Sequence, residues 1–264
     1  MKEKIRDFVL GLGVEDVGFA AVRDYNSPRS TQINEIFPDA KTIIVMANRE
    51  MSHCESTNMR IAMNGRLDVM EFARHCNFEL AHYIEKKCDA RAMSIPLSYP
   101  LDMNPATTGG MVGDVSLRHA AVAAGLGAFG RHNLVIHPRL GSRVVFCGVL
   151  TDLELPADPP CAEDLCTKCN ACVKGCPAGA LEQEGRTDVY KCIKNSQPYG
   201  LGKIISFWNK FIGTPIEEQK KMFFTQDFWQ IYQAQFIGFQ YFCFKCFSVC
   251  PVGSGGKKKP LPAS

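Results

Sequence analysis

Residues Cys166–Pro177 read CTKCNACVKGCP, and their spacing, C-x2-C-x2-C-x3-C-P, decides how the rest of the chain is read. Three thiolates at that interval wrap one face of a four-iron cubane, and a fourth followed by Pro is directed to a second cluster in two-cluster ferredoxins. Zinc takes two separated C-x2-C pairs rather than four cysteines within eleven residues, so iron–sulfur is the expected use. Further along, FCFKCFSVCP at 242–251 has the closing half of the same rhythm but only three cysteines, Cys243, Cys246 and Cys250. The two bursts thus supply seven thiols where two cubanes need eight. Between them stands Cys192, in DVYKCIKN, sixteen residues after Cys176 and about where a second ferredoxin motif begins. It is read as the eighth ligand, parted from its motif by an insertion over 193–242. Crossing the fourth ligands on ferredoxin precedent gives cluster I from Cys166, Cys169, Cys172 and Cys250, and cluster II from Cys176, Cys192, Cys243 and Cys246. Cys161 competes for a ligand place and is read as a spare linker thiol.

At 264 residues the chain exceeds a bare ferredoxin and suits one or two domains, each with its own core. Apolar residues at 46% and charged residues at 22% exclude a disordered or membrane-spanning class. Runs such as TIIVMA and VVFCGVL are far shorter than the about 20 residues that cross a bilayer. Net charge is +3, and the one dense basic run, Lys257 to Lys259, lies in a Gly- and Pro-rich tail, which argues against a nucleic-acid partner. The N-terminus has early acids, no apolar core segment and no twin-Arg pair, so the expected location is cytoplasmic. An uneven thirteen cysteines fits thiols kept reduced for metal better than a disulfide framework. Cys54, Cys76, Cys88 and Cys147 lack ligand spacing, and Cys76 and Cys147 are expected as buried structural thiols.

Before residue 150, helical and strand-like periods alternate. Helices are expected at 2–12, 66–88 and 115–125 and strands at 17–22, 41–47 and 91–95, with LVIHP and RVVFCGVLTDL closing the unit. The loop PLSYPLDMNPATTGGMVGD, 96–114, has no period, and loops of that length are more often functional than idle. The Pro-rich LPADPPCAED, 155–164, marks a change of composition. The expected organisation is an α/β (α+β) cofactor or substrate domain over 1–155, a two-cluster ferredoxin-like domain over 156–253, and a flexible basic tail over 254–264. The helical, aromatic insertion, with residues from Phe207 to Phe239, is expected as core around the clusters, with a donor-docking face or a cofactor lid as the alternative.

Gly125-x-Gly127-x-x-Gly130, in AGLGAFGR, has the letters of a dinucleotide fingerprint. That fingerprint needs a strand before and a helix after, so that the pyrophosphate meets a helix N-terminus. Here an Ala-rich helix runs into the glycines and a strand follows, so a helix end with a tight turn is expected instead of an NAD site. The same residues carry a resemblance. RHAAVAAGLGAFGRHNLVIHPRLGSRVVFCGVLTDLELPADPP, with CTKCNACVKGCP close behind, resembles the core of the epoxyqueuosine reductases and corrinoid reductive dehalogenases. Shared are the A-G-L-G-x-x-G-[RK] turn, the L-[IV]-x-P-x-x-G-[SP] and T-D-L-x-L-x-x-D segments, and a displaced Cys before a final C-x2-C-x3-C-P. The likeness is close over about 117–192 and at 243–251, and weaker but collinear over 1–116. It implies a nitroreductase-like domain holding a base-off cobalamin beside the ferredoxin domain, with Gly125, Gly127, Gly130 and Arg131 near the cofactor. It also implies an electron donor of flavodoxin or ferredoxin type.

Departures from that family pattern matter as well. Epoxyqueuosine reductases carry a D-x-x-P Asp before the Ala-rich helix as the proposed acid, whereas here that position falls near Met111 and Asp114 stands three residues later without the Pro. Asp114 is read first as a helix N-cap and second as the acid. The helical-repeat tail used towards tRNA and the dehalogenases' secretion signal have no counterpart, an expectation that weakens both best-known activities. Tyr99, in the long loop, is the other candidate proton donor. Arg118, Arg131 and Arg143 flank the glycine turn as candidate binders of a nucleotide tail, beside the plain reading of solvated arginines. His119, His132 and His137 show no ligand spacing. The expected function is an iron–sulfur oxidoreductase passing single electrons to a site on the first domain, for a small substrate or a partner's corrinoid. The alternative is a cofactor-free electron-transfer or reductive-activation protein docking a redox partner, with action on tRNA third.

Overall fold

The computed structural model describes residues 1–98, 100–102, 112–237 and 243–253. Tyr99, most of the 96–114 loop, Phe239 and the basic tail lie outside them. From the N-terminus, α1 (Lys2–Gly11) leads to β1 (Asp16–Ala21), and a single turn, α2 (Ile33–Ile36), precedes β2 (Thr42–Arg49). Then follow α3 (Met59–Cys88), β3 (Ala92–Ser94), α4 (Leu117–Ala123), the two-residue strands β4 (Ala128–Phe129) and β5 (Val135–Ile136), and β6 (Val144–Thr151). α3 begins before the expected residue 66 because the Asn58 side chain accepts from the N–H groups of Arg60 and Ile61 and caps it.

The main sheet has the order β1-β2-β6-β3, and every neighbouring pair is antiparallel. Alternation of helices and strands along the chain therefore does not build parallel layers, and the mixed fold is α+β. The pleat sorts its side chains to two cores. Ile43, Val45 and Ala47 of β2 meet Phe146 and Leu150 of β6 beneath Ala120, Ala121 and Ala124 at α4. Ile44 and Met46 point the other way with Cys147 and Val149, against Ile5 and Val9 of α1 and Cys76, Leu80 and Ile84 of α3. A strand covered on both faces reads as an unbroken apolar run, which is why TIIVMA shows no alternation. Cys76 and Cys147 are buried, as expected, and desolvation pushes the Cys76 thiol up to about 11.

The Pro-rich connection is fastened to this sheet. Asp158 accepts from Lys2 Nζ at 2.6 Å, from Arg6 Nη2 at 3.0 Å and from the Phe19 N–H at 3.0 Å. Burial alone would raise its carboxyl, but those donors outweigh burial and hold it below the usual range. Beyond it lie α5 (Ala171–Lys174), α6 (Val189–Ser196), α7 (Leu201–Ile212), α8 (Ile216–Met222), α9 (Gln226–Ile237) and α10 (Lys245–Ser248). Among the described residues the insertion corrects an expectation: α7–α9 bury Phe207, Met222 and Ile231 against one another in a small core of their own. Trp208, Phe224, Trp229, Tyr232 and Phe236 remain exposed.

Candidate metal centre and reaction cavity

Each cysteine burst is folded by a one-turn helix, α5 in the first and α10 in the second, and the two turns touch. Lys168 and Asn170 adopt left-handed backbone, φ 52° and 58°, curling the chain between Cys166, Cys169 and Cys172. A short clamp joins the last burst to the sheet domain. Ser142 Oγ donates to Phe247 O at 3.1 Å, and Arg143, paired with Glu55, donates through Nη2 to Ser248 O at 2.8 Å and Nη1 to Cys250 O at 3.3 Å.

Cys166, Cys169, Cys172 and Cys250 line one small cavity, together with Arg131, His132 and Ile136. Cys176, Cys192, Cys243 and Cys246 line a wall of a second cavity of about 1330 Å³. Each four is the set that the crossed pattern assigns to one cluster, and Cys161 lines neither. Burial pushes the Cys246 thiol up to about 12, and Cys192, Cys243 and Cys176 add to the rise. Cys172 is likewise raised by burial, with Cys166 and Cys250 adding to it. Thiols that oppose one another's ionisation are what a cationic iron core relieves, so the donor sets fit four-iron clusters. Among the described residues no three His, Cys, Asp or Glu side chains converge on a single ion. A cubane differs from a single ion in that each thiolate binds a different iron.

The rest of the large cavity belongs to the sheet domain, including Asp114, Ser116, Arg118 and His119. Asp114 is not the helix cap: Ser116 takes the N-cap position of α4 without a capping bond, its hydroxyl pairing instead with His119 Nδ1 at 2.8 Å. Asp114 stands two residues earlier, exposed on the cavity wall. His119 lies against Phe129, and burial, with the charge of Arg118, lowers its pKa.

The glycine turn answers to packing. Gly125, Gly127 and Gly130 line neither cavity. A Cβ on Gly125 would lie 2.2 Å from Pro159 O, and one on Gly127, whose φ is 151°, would lie 2.1 Å from Ile136 O. Gly125 and Gly127 admit no side chain because neighbouring backbone fills the space, which is a packing reason for glycine at both positions. Arg131 faces the first cysteine burst: its N–H donates to Cys166 Sγ at 3.3 Å and its guanidinium to Glu182 O at 2.8 Å and Gln183 O at 3.3 Å. Arg118 donates to Asn133 O at 2.6 Å from the wall of the large cavity. His137 is buried with Nε2 3.2 Å from Asp16 Oδ2. His119 and His132, which carry no spacing signal, both reach cavity walls. Only the fold, by closing the glycine turn onto the cysteine segment, brings them there.

Residues 162–182 match the family model described as a 4Fe-4S binding domain. An epoxyqueuosine reductase of Synechococcus sp. (strain CC9605) is 42% identical over 73 residues, 28% of this chain and 22% of that protein. The epoxyqueuosine reductase of Escherichia coli (strain K12) is 40% identical over 76 residues, 29% of this chain and 20% of that protein. Among solved structures, an epoxyqueuosine reductase with a tRNA-Tyr epoxyqueuosine-modified stem loop superposes with a TM-score of 0.60 at 21% identity, over 96% of this chain and 65% of that one. A reductive dehalogenase studied for B12-dependent dehalogenation superposes at 0.52 and 18% identity, over 88% of this chain and 36% of that one. The match thus spans about a fifth of the curated relatives' length and just under two thirds of the solved reductase. Among the described residues no helix is long and apolar enough to cross a membrane.

Proposed function

We propose that this chain, a member of the superfamily of epoxyqueuosine reductases and reductive dehalogenases, is an iron–sulfur oxidoreductase that brings single electrons through two four-iron clusters to a substrate in the large cavity. One observation carries the reading: Cys176, Cys192, Cys243 and Cys246 border the same cavity as Asp114, Arg118 and His119. At about 1330 Å³ that cavity exceeds the roughly 300–1,000 Å³ of common small-molecule sites, which suits an occupant larger than a common small molecule, such as a corrinoid. In this reading Cys166, Cys169, Cys172 and Cys250 hold the outer cluster and the other four the inner one. Bound there, the clusters supply one-electron storage, and a corrinoid supplies a cobalt centre able to take those electrons. The chain's own groups do the rest. Asp114 presents its carboxyl to the cavity as the group that relays protons to the substrate, Ser116 orients the His119 ring, and Arg118 presents charge to the substrate.

The names of the curated relatives favour an epoxide-bearing tRNA nucleoside as the substrate class. The likeness to a B12-dependent dehalogenase favours a second reading, a small substrate or a partner's corrinoid. The test is anaerobic, with cluster-loaded protein, a one-electron reductant and an epoxyqueuosine-bearing stem loop, with and without hydroxocobalamin. Conversion of the nucleoside, read by mass spectrometry, supports the first substrate, and reduction of free corrinoid alone supports the second. Loaded protein that reduces neither contradicts the proposal.

A further inference from the structure

We infer that His132 is the hydrogen-bond donor that sets the reduction potential of the cluster at Cys166, Cys169, Cys172 and Cys250, an inference that rests on the cluster reading above. Among the described residues His132 is the one that lines both cavities. Its side chain is 3% exposed. The Leu134 N–H donates to its Nδ1 at 3.1 Å, so a neutral ring carries its proton on Nε2. That Nε2 is buried and has no partner within the protein, a condition folded chains rarely tolerate without a use. The ring that carries this donor lines the small cavity together with its four thiols.

The surrounding turn is built to the same end. One residue earlier the Arg131 N–H already donates to Cys166 Sγ at 3.3 Å. Gly130 makes room for the ring, since a Cβ there would lie 2.7 Å from His132 Cε1. Hydrogen bonds to the sulfurs are among the levers on a cluster's potential, because a donor stabilises the more negative, reduced state.

The test is an EPR-monitored redox titration of anaerobically loaded wild type, His132→Leu and His132→Gln. His132→Leu is expected to keep the iron content of wild type and to lower one cluster's midpoint by about a tenfold change in its reduced-to-oxidised ratio, about 59 mV for a one-electron couple. His132→Gln, which retains an N–H, recovers most of that shift. Should the variants not load, wild type with ¹⁵N-labelled histidine decides alone: pulsed EPR of the reduced protein shows coupling to one imidazole nitrogen. An unshifted midpoint in loaded His132→Leu, or absence of that coupling in wild type, overturns the inference while the iron count leaves the cluster reading standing. Wild type that holds no four-iron cluster overturns both.

Discussion

Gly127→Ala separates a packing role for the glycine turn from a ligand role. At Gly127 φ is 151°, a region essentially confined to glycine that costs other residues of order 1–3 kcal/mol. The new Cβ would also lie 2.1 Å from Ile136 O and 2.9 Å from Ile136 C. Because those are backbone atoms, the β4–β5 pair has to move, which overpacking data put at about 1–3 kcal/mol. Together the two effects come to about 4 kcal/mol, a large share of the 5–15 kcal/mol typical of a folded domain, and at about 2–4 °C per kcal/mol the thermal midpoint falls by roughly 8–16 °C. Gly202→Ala is the control. It lies exposed in α7 with no atom within 4 Å of the added Cβ, and a helical Gly→Ala change there gains about 0.5 kcal/mol. Thermal melts of the two variants and wild type, all cluster-loaded, are compared. If Gly127→Ala melts with wild type and instead loses a bound nucleotide or corrinoid, the turn serves a ligand and the packing argument is wrong.

Other perturbations address the site and its supports. Cys192→Ala lowers iron from about eight per chain while Cys161→Ala leaves it unchanged, and equal iron in both variants removes Cys192 from the ligand set. Asp114→Asn leaves stability within about 0.5 kcal/mol of wild type, because the helix cap is Ser116, yet slows turnover by about 10²–10⁴; unaltered turnover excludes the acid role. Asp158→Asn weakens the tie to Lys2, Arg6 and the Phe19 N–H and destabilises by about 1–2 kcal/mol at neutral pH. The folded Asp158 carboxyl is lowered, so its contribution is complete above the unfolded value near 3.9 and fades as pH falls through the folded one. A gap between variant and wild type in urea denaturation that is as large at about pH 3 as at neutral pH would falsify that source.

Much of this arrangement is legible in the residues, for identifiable reasons. Thiol spacing is a local property, so the two bursts and the displaced Cys192 can be read directly, and the four thiols assigned to each proposed cluster border a common cavity. TIIVMA and RVVFCGVLTDL become the central strands β2 and β6, since long apolar runs leave few alternatives. What escaped depends on distant contacts. Asp114 sits where a cap is expected, but Ser116 is closer to the helix start and takes the position. The insertion's aromatics carry helical spacing, which says that a face is buried but not against what, and they bury one another. His119 and His132 belong to no motif, and reach the cavities because the turn around Gly127 folds against β5.

The most direct test of the account is a titration of anaerobic, cluster-loaded protein with hydroxocobalamin, followed by desalting and a visible spectrum. The account predicts one corrinoid retained per chain, in a base-off spectrum, beside the iron of two cubanes. Full iron with no corrinoid retained would contradict the proposed use of the large cavity.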